Sequence, residues 1–336
     1  MRLMNSKITK LDLFFSGLAI AVLLVVFLLP KSGLFTNDNL TANVVESVEE
    51  ITPIPNPFEN LKIEAKSAVV FDINSGEFIF EKNADTVRPL ASVTKLMTIY
   101  VASKYLNDDD LITVYYTDLL PEGDSGLYAD EIWKFSDLAK FTLMISSNDG
   151  ASAIASNVGM KIVGTDDPDI GRREFILEMN KTADSLGLKQ SYFLNPSGLD
   201  LADDKSGSYG TAKDLAILMK ELLNSAPEIL YYTKYLDGNF TSVSGLDHLA
   251  VNTNQAVDDL PVVLGSKTGF TDLAGGNLVL GFEAGIGKPM VVVVLGSSVE
   301  GRFTDAVALA KAGIKYLRYQ EYKNQGDSLT TLKSEN

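Results

Sequence analysis

Three observations predict an α+β domain. A strand–turn–strand signal opens the folded part at residues 65–81, a long middle section carries helical apolar periodicity, and three β-rich runs precede a final amphipathic helix. Terminal strands enclosing a helical middle are the pattern of a sheet with helices packed on it.

In chain order, residues 1–33 read as a short stub and a membrane signal anchor. Arg2, Lys7 and Lys10 precede an uncharged run from Leu13 to Leu29, which is followed by Pro30 and Lys31. About 17 helical residues span roughly 26 Å, slightly short of a hydrocarbon core of ~30 Å but long for a signal-peptide core. No small-x-small cleavage site follows. The positive flank favours a cytoplasmic N-terminus, which puts the body of the chain on the extracytoplasmic side of the cell membrane as a single-pass protein. A cleaved signal is the alternative.

Residues 34–60 are polar, with Glu46, Glu49 and Glu50 ahead of Pro53, Pro55 and Pro57, and read as an extended tether. The folded domain is expected over 61–320 and a polar tail over 321–336. Within the domain, Ala65–Ile73 and Glu77–Glu81 flank the turn residues Asn74-Ser75-Gly76. Helical periodicity runs through 92–106 and 136–159, with further helices predicted at 171–187 and 211–224. Strands are predicted at 261–267, 276–283 and 289–296, then a helix over 302–318 with Val307, Leu309, Ala310 and Ile314 on its core face.

Composition narrows the chemistry. The 336 residues are 46% hydrophobic, enough for one large or two modest cores. A net charge of −15 with no basic stripe argues against nucleic acid as a partner. There is no cysteine, which removes disulfides, thiol catalysis and a cysteine-borne lipid anchor. With a single histidine, His248, a histidine–cysteine metal cage is excluded and a Ser-His-Asp triad could use only that residue. No metal and no organic cofactor are expected. The chemistry must run on Ser, Lys, Thr, Asn and backbone amides.

Ser92 and Lys95, in PLASVTKLMTIYVASKYL, fit that restriction. Positions i and i+3 share a helix face, so hydroxyl and amine can touch, and a desolvated lysine activates a serine without histidine. Alone, such a pair reads equally as an amphipathic helix with a surface lysine. Two later elements change the weighting: Ser146-Ser147-Asn148 at the end of an apolar-periodic stretch, and Lys267-Thr268-Gly269 closing PVVLGSKTGF. S-x-x-K, S-x-N and K-T-G in that order are the signature of penicillin-binding proteins and serine β-lactamases. With RPLASVTKLMT, LMISSNDGASAIA, SLGLKQSYFLNPSGLD and VVLGSKTGFTDLAGGNLVL, the chain resembles the D-alanyl-D-alanine carboxypeptidases, the low-molecular-mass penicillin-binding proteins, over roughly residues 64–318. Many members of that family carry a further β-rich domain and a C-terminal amphipathic anchor, whereas the anchor expected here is N-terminal.

The resemblance implies a β-lactamase/transpeptidase-like fold: an antiparallel five-stranded sheet flanked by helices, plus a helical lobe. It implies a serine D,D-carboxypeptidase that removes the terminal D-Ala of peptidoglycan stem peptides through an acyl-enzyme on Ser92, with β-lactams as covalent inhibitors. A D,D-endopeptidase of cross-links is the alternative. A β-lactamase using Glu174 or Glu178, or a non-catalytic β-lactam-sensing module, comes after it. Lys95 is the base, and its pKa of ~10.4 must fall toward 7, about 4 kcal/mol. Burial and the Lys267 cation both push that way. Ser146 would relay a proton and Asn148 would hold Lys95 or the substrate amide; both equally suit capping of the helix that follows, the role expected of Asp149 and Ser152.

Lys267 and Thr268 suit a terminal carboxylate, and Gly269 would let a peptide lie against the strand. In the resembling family the oxyanion hole uses the backbone amides of the nucleophile and of the residue after K-T-G, here Ser92 and Phe270. The Phe270 ring could as well be core. Arg302 is expected in a helix-start salt bridge, ahead of a second carboxylate contact. His248 is expected in a loop, and Asn195–Gly198 in turns shaping a loop near the cleft.

Overall fold

The computed structural model describes residues 54–334 apart from Pro261, with side chains as far as Asn324. The expected anchor and most of the expected tether lie outside the described residues. Among the described residues, no helix is long and apolar enough to cross a membrane.

The centre is a five-stranded antiparallel sheet built from both ends of the domain. Its strands are β1 (Ser67–Asp72), β2 (Glu77–Lys82), β3 (Val263–Thr271), β4 (Gly275–Glu283) and β5 (Pro289–Ser297), in the order β3-β4-β5-β1-β2. In β5, alternate side chains serve two cores: Val291, Val293 and Leu295 face the helical side, Val292 and Val294 the other. Both faces of the strand are therefore covered, which is why it reads as one apolar run rather than an alternation. Each such side chain removed from water contributes about 1.5–3 kcal/mol.

The second face is closed by the last helix. It runs Gly301–Ser334, well past the predicted 318, and packs Phe303, Ala306, Leu309 and Ala310 on the sheet. The first face carries α1 (Lys95–Ala102) and α5 (Ala212–Ser225), and beyond them α2 (Phe135–Ile145), α3 (Asn148–Val163) and α4 (Pro168–Ser185) form the helical lobe. This is the α+β arrangement that the resemblance implies.

Three local differences matter for the site. The helix expected over 92–106 begins as a 3-10 turn, Ala91–Thr94, and its α-helical part is only Lys95–Ala102, every residue of which is buried. The helix expected over 136–159 is broken: Ser146 has φ +68°, ending α2, and the Ser147 hydroxyl accepts the Gly150 N–H at 2.8 Å to cap α3. The strand expected over 261–267 runs to Thr271, so K-T-G lies inside β3 rather than at its end.

His248 is a correction. It belongs to the strand Asp247–Val251, not to a loop, and is buried. Its Nε2 lies 2.7 Å from the buried Glu131 carboxylate, and its ring packs on Trp133 and Phe141. Sheet alternation turns His248 and Ala250 inward.

Candidate active site

The 3-10 turn puts Ser92 at the mouth of the site. Ala91 ahead of it has φ +50°, a left-handed conformation rarely adopted by a residue with a side chain. Two contacts hold that kink. Asn277 in β4 donates from Nδ2 to the Pro89 and Leu90 carbonyls, and its Oδ1 accepts from Gly296 N. Gly198 lies so close that a β-carbon there would stand 1.9 Å from the Ala91 carbonyl oxygen. The Thr94 hydroxyl bonds to the Ala91 carbonyl and to Ser208 Oγ.

Lys95 is 0% exposed. Its Nζ donates to Ser92 Oγ at 2.8 Å, to Asn148 Oδ1 at 2.8 Å and to the Ser197 carbonyl at 2.9 Å. Three acceptors saturate an ammonium, while one of them is the hydroxyl to be activated. Burial brings the Lys95 pKa down to about 7, against the opposing attraction of Asp149.

Lys267, 1% exposed, donates to the Thr268 carbonyl at 2.9 Å. Its pKa is held well below the ordinary lysine range by burial, then by the Lys95 charge, then by Arg302. Among the described residues Arg302 makes no salt bridge at the helix start; its Nη1 donates to the Gly269 carbonyl at 3.0 Å, tying the last helix to β3. Thr268 is also buried, with its hydroxyl bonded to that of Thr253.

Gly269 packs against the turn that carries the nucleophile. A β-carbon there would meet the Leu90 carbonyl at 2.9 Å, the Ser92 amide nitrogen at 3.1 Å and the Val93 amide nitrogen at 3.2 Å. The missing side chain lets the Ser92 turn come up against the edge strand. The Phe270 ring is not core: it is 48% exposed and lines a cleft of about 580 Å³ with Glu122, Asp200, Thr271 and Asp272.

The Ser146 hydroxyl forms no hydrogen bond with Lys95, Ser92 or Lys267 among the described residues. Asn148 grips Lys95 with its oxygen and the Glu122 carbonyl with its nitrogen, at 2.7 Å. Neither Asp149 nor Ser152 caps α3, the role expected of them, because Ser147 already does: Asp149 Oδ2 accepts the Ser125 N–H at 3.0 Å, and Ser152 donates to the buried Asp118, which also pairs with Arg172. Sequence reasoning missed the Ser197 carbonyl, Thr253 and Asn277. The N-P-S-G string marked the segment that carries the first; nothing in the sequence marked the other two.

A five-stranded antiparallel sheet with S-x-x-K behind its edge strand and K-T-G on it defines the penicillin-binding and transpeptidase fold class. The chain belongs to the S11 peptidase family, D-alanyl-D-alanine carboxypeptidase, which matches residues 54–299. It is 30% identical over 269 residues to D-alanyl-D-alanine carboxypeptidase DacA of Escherichia coli K12, covering 76% of this chain and 62% of that one. To DacF of Bacillus subtilis it is 31% identical over 244 residues, covering 70% and 58%. The chain thus spans about three-fifths of the length of these curated relatives.

Among solved structures, penicillin-binding protein D2 from Listeria monocytogenes in its cefotaxime-bound form matches with a TM-score of 0.63 at 32% identity, over 76% of this chain and 98% of that one. A D-alanyl-D-alanine carboxypeptidase from Mycobacterium tuberculosis matches with a TM-score of 0.66 at 23% identity, over 79% and 95%, a likeness of fold.

Proposed function

We propose that the chain is an exported, membrane-anchored serine D,D-carboxypeptidase that removes the terminal D-Ala of peptidoglycan stem peptides and is acylated by β-lactams. The observation that carries this is the fully buried Lys95 amine 2.8 Å from Ser92 Oγ. An amine with a pKa of about 7 is free to accept a proton at neutral pH and has the affinity to keep it. Ser92 Oγ attacks the carbonyl carbon of the last peptide bond while its proton passes to Lys95 Nζ. The tetrahedral oxyanion is stabilised by the Ser92 and Phe270 amides, D-Ala leaves with a proton, and water then releases the shortened peptide. Lys267 and Thr268 receive the terminal carboxylate, with Gly269 keeping turn and strand together. Ser146 is assigned the proton relay to the leaving amine, which requires its hydroxyl to be engaged by bound substrate.

The β-lactamase reading is not favoured. Glu178 accepts the Tyr105 hydroxyl and pairs with Lys181 on the helical lobe, and Glu174 lies on the same helix, α4; neither touches Lys95 or Ser92. The uncharged run at 13–29 supports membrane attachment with the domain outside, to be checked by fractionation and protease access in intact cells.

The full chain in detergent should be incubated with a fluorescent penicillin and, separately, with a peptide ending Lys-D-Ala-D-Ala. Stable labelling plus free D-alanine is expected, and Ser92→Ala abolishes both with the fold intact. Rapid penicillin hydrolysis, or labelling without D-alanine release, would overturn the reading.

A further inference from the structure

Asp149 follows Asn148 in the first turn of α3 and is 2% exposed. One oxygen, Oδ2, accepts the Ser125 amide; the other, Oδ1, is buried without a hydrogen-bond partner. An uncompensated carboxylate oxygen inside a protein is costly, so its persistence calls for a reason. Two features of its position supply one.

The first is the segment Pro121–Gly126 at the edge of the cleft. Consecutive side chains of α3 hold it: Asn148 through the Glu122 carbonyl at 2.7 Å, and Asp149 through the Ser125 amide at 3.0 Å. A β-carbon at Gly123 would come within 3.0 Å of Asn148 Nδ2, so the segment lies directly on the side chain that grips Lys95.

The second is charge. Lys95, Lys267 and Arg302 bring three basic groups into one largely dry site, and Asp149 is the carboxylate whose field reaches Lys95. The acids facing Asp149 are Asp124 from the same loop and Asp118 from the 3-10 turn Tyr116–Leu119, and Asp118 is paired with Arg172 at 2.7 Å. Burial, then these acids, raise the Asp149 pKa, while the Ser125 bonds oppose them.

We propose that Asp149 is a positioning residue for acylation: it latches the Pro121–Gly126 wall of the cleft through Ser125 and supplies the negative charge that holds the Lys95 ammonium once the Ser92 proton has arrived. This rests on Lys95 being the base.

The test is the pH dependence of the second-order rate of labelling by a fluorescent penicillin, in the full chain and in Asp149→Asn. Asparagine keeps the shape and an acceptor for Ser125 but removes the charge. The lysine then loses its proton more readily, so the acid limb of the profile moves to lower pH, by about half a unit to one unit. A purely structural role lowers the rate at every pH and leaves the limb in place, and that result overturns the proposal.

Failure of the unmutated chain to label would overturn the acyl-enzyme reading and this inference with it; labelling with an unmoved limb overturns this inference alone. Should Asp149→Asn not fold, the unmutated protein decides by NMR. The Asp149 carboxyl carbon is expected to show an inflection at the pH of the acid limb, and a flat response there overturns the proposal.

Discussion

Gly269 and Ser92 are in contact through absence: a β-carbon on Gly269 would stand 3.1 Å from the Ser92 amide nitrogen. The edge strand and the turn that carries the nucleophile approach each other across that missing atom. The Ser92 amide, one of the two donors assigned to the oxyanion, is thereby held at a fixed distance from β3.

Gly269→Ala should therefore slow penicillin labelling by about 10²-fold or more, the cost of misplacing one oxyanion donor. The melting point should fall as well, because the Leu90 carbonyl, 2.9 Å from that β-carbon, is backbone held by Asn277 and has to shift. Labelling kinetics and thermal unfolding measure the two separately. A near-normal rate would show that the contact does not govern the donor.

The buried lysine makes both rate and stability depend on pH. Labelling should fall about tenfold per unit as pH drops below about 7, where Lys95 is protonated. For stability, the folded-state pKa of about 7 lies below the ordinary 10.5, so between those values the unfolded chain binds the extra proton. Relative to Lys95→Met, the unmutated protein should gain stability as pH rises through that window and level off above it. The gain is on the order of 5 kcal/mol, about 3.5 units at 1.36 kcal/mol per pKa unit. Denaturant midpoints of both proteins across the window provide the comparison.

Lys267 predicts proton uptake on binding. Its pKa is lowered by burial and by Lys95, and a carboxylate arriving beside it would reverse that shift. Titration calorimetry of Ser92→Ala with a peptide ending D-Ala-D-Ala, in buffers of different ionisation enthalpy, should show net uptake near neutral pH. The corresponding peptide amide should show less, and equal values would remove Lys267 from carboxylate recognition.

His248 should be structural. Replacing it by alanine leaves the Glu131 carboxylate, 0% exposed in its side chain, without its hydrogen-bonded ring partner, a loss of about 1–3 kcal/mol for a buried acceptor left unsatisfied. The folded fraction of His248→Ala should still label with penicillin. Loss of labelling from well-folded protein would give His248 a part in the reaction.

What could be read early and what could not divides by the range of the interaction. The Ser92–Lys95 pair is local, because three residues of helical chain bring hydroxyl and amine together wherever the helix is placed. His248 was hidden because its strand points Leu249 and Val251 outward, so the usual apolar-in alternation is inverted. Phe270 depended on register: with β3 running to Thr271, its ring falls on the cleft side, not in the core. The break at Ser146 needed a left-handed residue that helical periodicity does not register.

Residue type and spacing were enough to settle the kind of chemistry available and the order of the motifs, since these rest on functional groups and short stretches of chain. Only folding decided which atoms close around Lys95: a carbonyl of Ser197, an amide oxygen of Asn148 and the field of Asp149. A backbone carbonyl carries no sequence label, and a pKa depends on how much water is excluded. Both are set by packing between segments distant along the chain.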